Sequence, residues 1–342
     1  MPEIFLTIFF ISVLLFFLGS GVWVALSMIG VSAIGMMLFT SRPVGDAMAT
    51  TIWGTSSSWT LTALPLFVWM GEILFRTKLS ENLFKGLSPW MQKLPGGLIH
   101  VNVVGCALFA AISGSSAATV ATVGKMSIPE LRKRKYPEKI LLGSLAGSGT
   151  LGLLIPPSII LIIYGVAVQE SIAKLFIAGI IPGIMIALIF MSYVIIWSLI
   201  NKKKMPKISE KYSFLEKIKR SKQLLPVIIL ISGVIGSIYT GVATATEAAS
   251  LGVVGSLILS YFQKSLTLNT FRSSLLGATK TSCMIAFILA GSTFLSLAMG
   301  FTGLPRNLAT WIQNMNLSPY VLIFVLMIFY IILGMFLDGI SA

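Results

Sequence analysis

Apolar runs of bilayer length recur along the whole chain, each closed by glycine, proline or a cluster of basic residues. About 20 apolar residues cross a membrane as a helix, because a rise of about 1.5 Å per residue matches a hydrocarbon layer of roughly 30 Å. With 56% hydrophobic and 11% charged residues in a length of 342, the chain holds more apolar surface than a soluble core can bury. The expected class is an all-α polytopic membrane protein. The start, MPEIFLTIFF, lacks the basic region and small-residue cleavage site of a signal peptide, so it is read as structure. Cys106 and Cys283 both lie in apolar runs and are read as buried free thiols, without a disulfide framework or metal spacing.

The net charge of +14 lies in a few loops between spans, which points to orientation in a lipid bilayer and away from nucleic acid. Nine Lys/Arg fall between Lys202 and Lys222, six between Lys125 and Lys139, and Arg76, Lys78, Lys85 and Lys93 form a third group. Placing all three groups in the cytoplasm puts the N-terminus outside, in the inner or plasma membrane of a bacterium or archaeon. The run 4–39 then splits at Gly19-Ser20-Gly21 into two short helices, and 57–77 crosses inward. An amphipathic surface helix follows over 79–94, with Leu79, Leu83, Leu87 and Trp90 at helical spacing. A broken helix over 138–169 crosses outward and 174–200 inward, and the basic loop 202–222 leads to spans over 223–240, 246–263 and 274–299.

Segment 97–130 has basic groups at both ends and SGSS at its centre, too short for two spans. It reads as a re-entrant hairpin with its turn at Ser113-Gly114-Ser115-Ser116, tolerable at membrane depth only where protein or a polar cavity covers it. A shift of 225 residues lays 77–117 on 302–342: Thr77 meets Thr302, Leu79 meets Leu304, Gly114 meets Gly339, and Ser116-Ala117 meets Ser341-Ala342. With 300–316 outside, the second half repeats the first upside down, the architecture of secondary transporters. The expected division is 1–96 scaffold spans plus surface helix, 97–173 transport domain, 174–222 connecting span and basic loop, 223–316 second-repeat scaffold, and 317–342 the start of a second hairpin.

Residues 147–158, GSGTLGLLIPPS, would interrupt the broken helix near mid-membrane. Pro156 and Pro157 cannot donate hydrogen bonds, and Gly147, Gly149 and Gly152 permit irregular backbone. The freed carbonyls lie beside the hydroxyls of Ser148 and Thr150, a donor set that suits a dehydrated Na⁺. Half-helix N-termini at Ser115-Ser116 and after Pro157 suit a carboxylate. The expected substrate and ion site comprises Ser113, Gly114, Ser115, Ser116, Gly147, Ser148, Gly149, Thr150, Pro156 and Pro157, with Asp338, Gly339 and Ser341 from the second tip. Within it, Na⁺ is assigned to Ser113, Ser115, Ser148 and Thr150. Thr246 and Glu247 are possible supports.

The stretches AISGSSAATVATVG, GTLGLLIPPSIILIIYG, SIAKLFIAGIIPG and TATEAASLGVVG, in this order, resemble the large, DctM-type permease subunit of TRAP (tripartite ATP-independent periplasmic) transporters over essentially the whole chain. The resemblance implies an inverted-repeat elevator that imports an organic acid, such as a sialic acid or dicarboxylate, by Na⁺ symport, with no other cofactor. Its implied partners are a small four-helix membrane subunit and a periplasmic substrate-binding protein. By the repeat, counterparts of 118–201 are expected beyond Ala342, so the second half reads as truncated.

Each feature also has a plainer reading. GSS can be tight helix packing, the double proline a kink, Glu247 a partner of the helix dipole, and His100 a packed imidazole. Asp338 is the more telling residue, because a carboxylate at hairpin depth is costly. The alternatives are an ion-coupled carboxylate transporter working without a binding protein, a passive channel, or an intramembrane hydrolase pairing a serine of GSS with His100. The thirteen residues or so between His100 and the tip, roughly 20 Å of helix rise, oppose that pair. No GxxxxGK[ST] stretch supports an ATP-driven pump.

Overall fold

The structure is a computed structural model that describes residues 3–76, 79–206, 212–222 and 224–336. The described residues form sixteen α-helices and three short 3-10 turns joined by loops, with no strand among them. In chain order the helices are α1 Glu3–Gly19, α2 Val24–Phe39, α3 Val44–Ser56, α4 Ala63–Phe75, α5 Leu79–Met91, α6 Ile99–Ser113, α7 Ser116–Lys133 and α8 Glu138–Gly149. There follow α9 Ile159–Ala167, α10 Ile172–Ile200, α11 Phe214–Ser221, α12 Leu225–Tyr239, α13 Ala245–Phe262, α14 Leu268–Phe301, α15 Leu304–Asn314 and α16 Pro319–Phe336. Three of them, α10, α13 and α14, are individually long and apolar enough to cross a membrane.

The chain divides into two compact units, Met1–Ser58 with Cys283–Ala342, and Trp59–Ser282. In the first, Met36 of α2 packs with Phe294 and Ala298 of α14, and a Cβ on Gly291 would stand 2.8 Å from the Ala25 carbonyl oxygen. In the second, α4 lies closely along α13: a Cβ on Gly252 would meet the Met70 sulfur at 2.5 Å. Three sets of contacts hold α6, α8 and α10 together. Ile99, Ile140 and Val194 form one cluster, and Val103, Ala110 and Leu151 form another with Phe190 at its edge. The Asn102 amide donates to the Leu141 carbonyl at 3.3 Å and to Ser144 Oγ at 3.0 Å, joining α6 to α8. The start of α6 is pinned by Tyr136, whose hydroxyl accepts the Leu98 N–H at 3.1 Å. Burial pushes that phenol above its ordinary pKa.

The structure differs from the expected elements and burial in several respects. The span expected over 57–77 is α4, preceded by the separate helix α3 and a 3-10 turn at Trp59–Thr62. The polar stretch TTIWGTSSSW, which lies largely outside the expected elements, is helical as far as Ser56. The basic loop 202–222 contains the helix α11, started by a capping box in which the Ser213 N–H donates to Glu216 at 2.8 Å. Lys217 within it is buried rather than solvated, its ammonium 5.3 Å above the Trp90 ring. Cys106 is buried as expected, whereas Cys283 is exposed, because an apolar run in a membrane protein faces lipid as readily as a core.

Candidate functional site

The candidate site forms where the turn between α6 and α7 meets the break between α8 and α9. Helix α6 ends at Gly114, whose φ of +58° is the left-handed conformation that glycine adopts without penalty. The extended Ser115 then caps α7, its hydroxyl accepting the Ala118 N–H at 3.4 Å. The two helices run back alongside each other: a Cβ on Gly105 would lie 3.6 Å from Val123 Cγ1, nine residues to either side of Gly114. The helix–turn–helix expected over 97–130 is therefore present as a local structure.

The break has a clear chemical origin. Helix α8 ends at Gly149, a 3-10 turn covers Thr150–Leu153, and α9 starts only at Ile159, after Pro156-Pro157 joined by a cis peptide bond. A helix continuing through this region would need an N–H from residue 157 for the Leu153 carbonyl, and proline has none. The Ser158 hydroxyl takes its place, donating to the Leu153 oxygen at 2.6 Å from a fully buried position. Proline 156 likewise offers no helical donor to the Gly152 carbonyl. The irregular segment is held against α10 by small residues: a Cβ on Gly179 would stand 2.7 Å from the Leu154 carbonyl oxygen, and one on Gly183 2.8 Å from Ile155 Cγ1.

Tip and break are interlocked. A Cβ on Gly114 would stand 2.8 Å from the Ile159 amide nitrogen and 3.3 Å from the Pro157 carbonyl oxygen. One on Gly152 would lie 3.2 Å from the Ser115 carbonyl, and one on Gly149 3.6 Å from the Ser116 carbonyl oxygen. Two helix N-termini, those of α7 and α9, thus meet at one place. Beside them opens a cavity of about 150 Å³, lined by the cap Ser115, Ala118 and Ala121 of α7, Ile159 of α9, Gly71, Glu72 and neighbours of α4, and Thr281 of α14. Its carboxylate, Glu72, accepts from Arg76 Nη2 at 3.0 Å and Nε at 3.2 Å.

The other expected site residues occupy varied positions. Ser148 is fully buried, donates to the Ser144 carbonyl oxygen, and lies outside the cavity lining. Thr150 is exposed and donates to the Gly147 carbonyl at 2.7 Å, and Gly147 itself packs against Phe190. Pro156 and Pro157 are buried in the break. Glu247 closes a capping box on α13, accepting the Thr244 N–H and hydroxyl at 2.8 Å each; neither it nor Thr246 lines the cavity. The Ser113 side chain, and Asp338, Gly339 and Ser341 altogether, lie outside the described residues. His100 is buried near the start of α6, bonded to the Pro95 carbonyl at 2.7 Å, about 20 Å of helix rise from the tip. Among the described residues no Ser–His pair forms there.

Sequence reasoning missed Glu72 and Thr281. The signal for Glu72 was legible, since a carboxylate inside an apolar run is a functional candidate by default.

Comparison with known proteins adds the following. The family model described as the tripartite ATP-independent periplasmic transporter, DctM component, matches residues 10–342. The C4-dicarboxylate TRAP transporter large permease protein DctM of Pseudomonas aeruginosa is 33% identical, over 90% of this chain and 71% of its own length. The sialic acid TRAP transporter large permease protein SiaM of Vibrio cholerae is 32% identical, over 94% of this chain and 75% of its own length. The isethionate TRAP transporter permease protein DctMQ of Oleidesulfovibrio alaskensis is 29% identical, over 95% of this chain and 51% of its own length.

Proposed function

The chain belongs to the DctM component family of tripartite ATP-independent periplasmic transporters, and from that premise we propose that it imports an organic anion by Na⁺ symport, recognising the substrate carboxylate where α7 and α9 begin. One observation carries this reading: two helix N-termini converge on one small cavity. Each carries about half a positive elementary charge, which water would screen little at the membrane depth proposed for the tip. Two like partial charges brought close repel each other, and an anion bound beside them relieves that repulsion. The similar proteins named for C4-dicarboxylates, sialic acid and isethionate all take organic anions by those names, which supports the class of substrate.

Na⁺ would bind in exchange for its water shell, using oxygens close to the tip. The Gly152 carbonyl, denied a helical donor by Pro156, and the hydroxyls of Ser115 and Ser116 have the right hardness. A positive ion beside the carboxylate also offsets its desolvation, so each binds better with the other present. Asp338 would act from a second hairpin tip, the 225-residue counterpart of the first. In support, α15 begins at Leu304, 225 residues after α5 begins at Leu79. Such an inverted pair fits elevator transport, in which a tip and its broken helix travel as one body. The partners proposed are a small four-helix membrane subunit and a periplasmic binding protein that delivers the substrate. The isethionate permease DctMQ, of which this chain matches 51%, supports the first of these.

The test is uptake of a labelled dicarboxylate or sialic acid into proteoliposomes holding the full-length protein with both partners. Uptake should need a Na⁺ gradient, and Ser116→Ala should raise the Na⁺ concentration for half-maximal uptake at unchanged expression. Uptake indifferent to Na⁺, or the same Na⁺ dependence in the variant, would refute the symport site.

A further inference from the structure

A second cleft, of about 400 Å³, opens between α5, the far end of α7 and the stretch that leads into α11. It contains none of the tip or break residues. Among the described residues three cations line it, Lys85 of α5, Arg134 just after α7, and Arg220 of α11, together with the carboxylate Glu130. The two guanidinium groups are held in place rather than loose. Arg220 stacks 4.3 Å above the Tyr212 ring and donates from Nη1 to the Tyr212 hydroxyl at 3.2 Å. Arg134 Nε donates to Glu130 at 2.9 Å.

Planar guanidinium groups oriented beforehand, with a third cation beside them, suit a phosphate group, because its several oxygens accept paired N–H donors at low entropic cost. We propose that this cleft is a phosphate-binding site whose occupant ties the hairpin helix α7 to α5 and α11. The elements concerned explain why it would matter. Helix α11 is docked on α5 through the Trp90 N–H, which donates to Ser221 at 2.7 Å, and through the Lys217–Trp90 stack. Helix α7 carries the candidate substrate turn at its other end. An anion shared by Arg134 and Arg220 would therefore couple the position of the hairpin to the segment that links the two halves of the sequence.

The phosphate has two possible sources. The apolar side chains of Phe214, Leu215 and Ile218 on α11 are exposed, which suits a helix lying on a lipid surface, within reach of both a phospholipid headgroup and soluble phosphate. Isothermal titration of the detergent-purified chain with inorganic phosphate at constant ionic strength tests the soluble source. Native mass spectrometry of the same protein with phosphatidylglycerol against phosphatidylcholine tests the lipid. We expect saturable binding in one arm. Arg134→Gln and Arg220→Gln should each weaken it about tenfold or more, the loss of one charge-assisted hydrogen bond or pair, and Arg220→Lys should weaken it less. Lys219→Gln, on α11 but outside the cleft lining, should leave it unchanged. Absence of saturable binding in both arms, or an equal loss in Lys219→Gln, would overturn the proposal.

Discussion

Single residues decide whether the break is tolerated. Ser158 supplies the proton that Pro157 lacks, and its own site is fully buried. Ser158→Ala leaves the Leu153 carbonyl without that donor, which should cost about 1–3 kcal/mol and lower the melting temperature of the purified protein. Ser250→Ala, at an exposed position on α13, should not. Gly114 is constrained twice, by a φ of +58° and by the Ile159 amide nitrogen 2.8 Å from where a Cβ would be. Gly114→Val should therefore abolish uptake, since neither backbone can yield without opening the tip. Gly143→Ala, where nothing stands within 4 Å, should leave uptake intact. Equal uptake by both variants would remove the tip from the transport site.

At the scale of elements, α10 shows how a helix of 29 residues can carry an irregular neighbour. Its Gly179 and Gly183 leave a shallow track for Leu154 and Ile155, so that small residues four apart seat a non-helical strand of backbone rather than a second helix. Gly179→Ala would press a methyl group to 2.7 Å from the Leu154 carbonyl oxygen and displace the break. Lower uptake together with lower thermal stability is expected. Gly233→Ala in α12, with open space around it, should be neutral or stabilise by about 0.5–1 kcal/mol, as helical Gly→Ala changes do. If both variants behave alike, the track does not position the break.

For the whole molecule, the question is how the hairpin enters the membrane. A re-entrant α6–α7 pair requires both of its outer ends on one side. Lys93 and Lys133 are exposed and flank the pair. Once the exposed Cys283 is replaced by alanine, Lys93→Cys and Lys133→Cys should both react with an impermeant maleimide only from the cytoplasmic face. Labelling from opposite faces would make the pair a true crossing and end the inverted-repeat reading. Their buried neighbour Cys106 should stay unreactive in folded protein.

Run length, glycine, proline and charge are properties of the chain taken one stretch at a time, and they sufficed for much of this protein. The helical membrane class, the Gly19–Gly21 interruption, a helix starting at Leu79, the turn at Gly114 and the break at Pro156-Pro157 were all legible, because each follows from local backbone chemistry. Burial was not legible. In lipid, an apolar side chain gains nothing obvious by turning inward, so the sequence does not mark which face of α14 holds Cys283. Only the packed structure brought Ser115 to Gly152 and Gly114 to Ile159, across roughly forty residues of chain, and set Glu72 of α4 beside them. It also folded part of the basic loop into α11 and stacked Lys217 on Trp90. Those placements depend on which small residues permit close approach between distant segments, and that is decided by tertiary packing rather than by spacing along the chain.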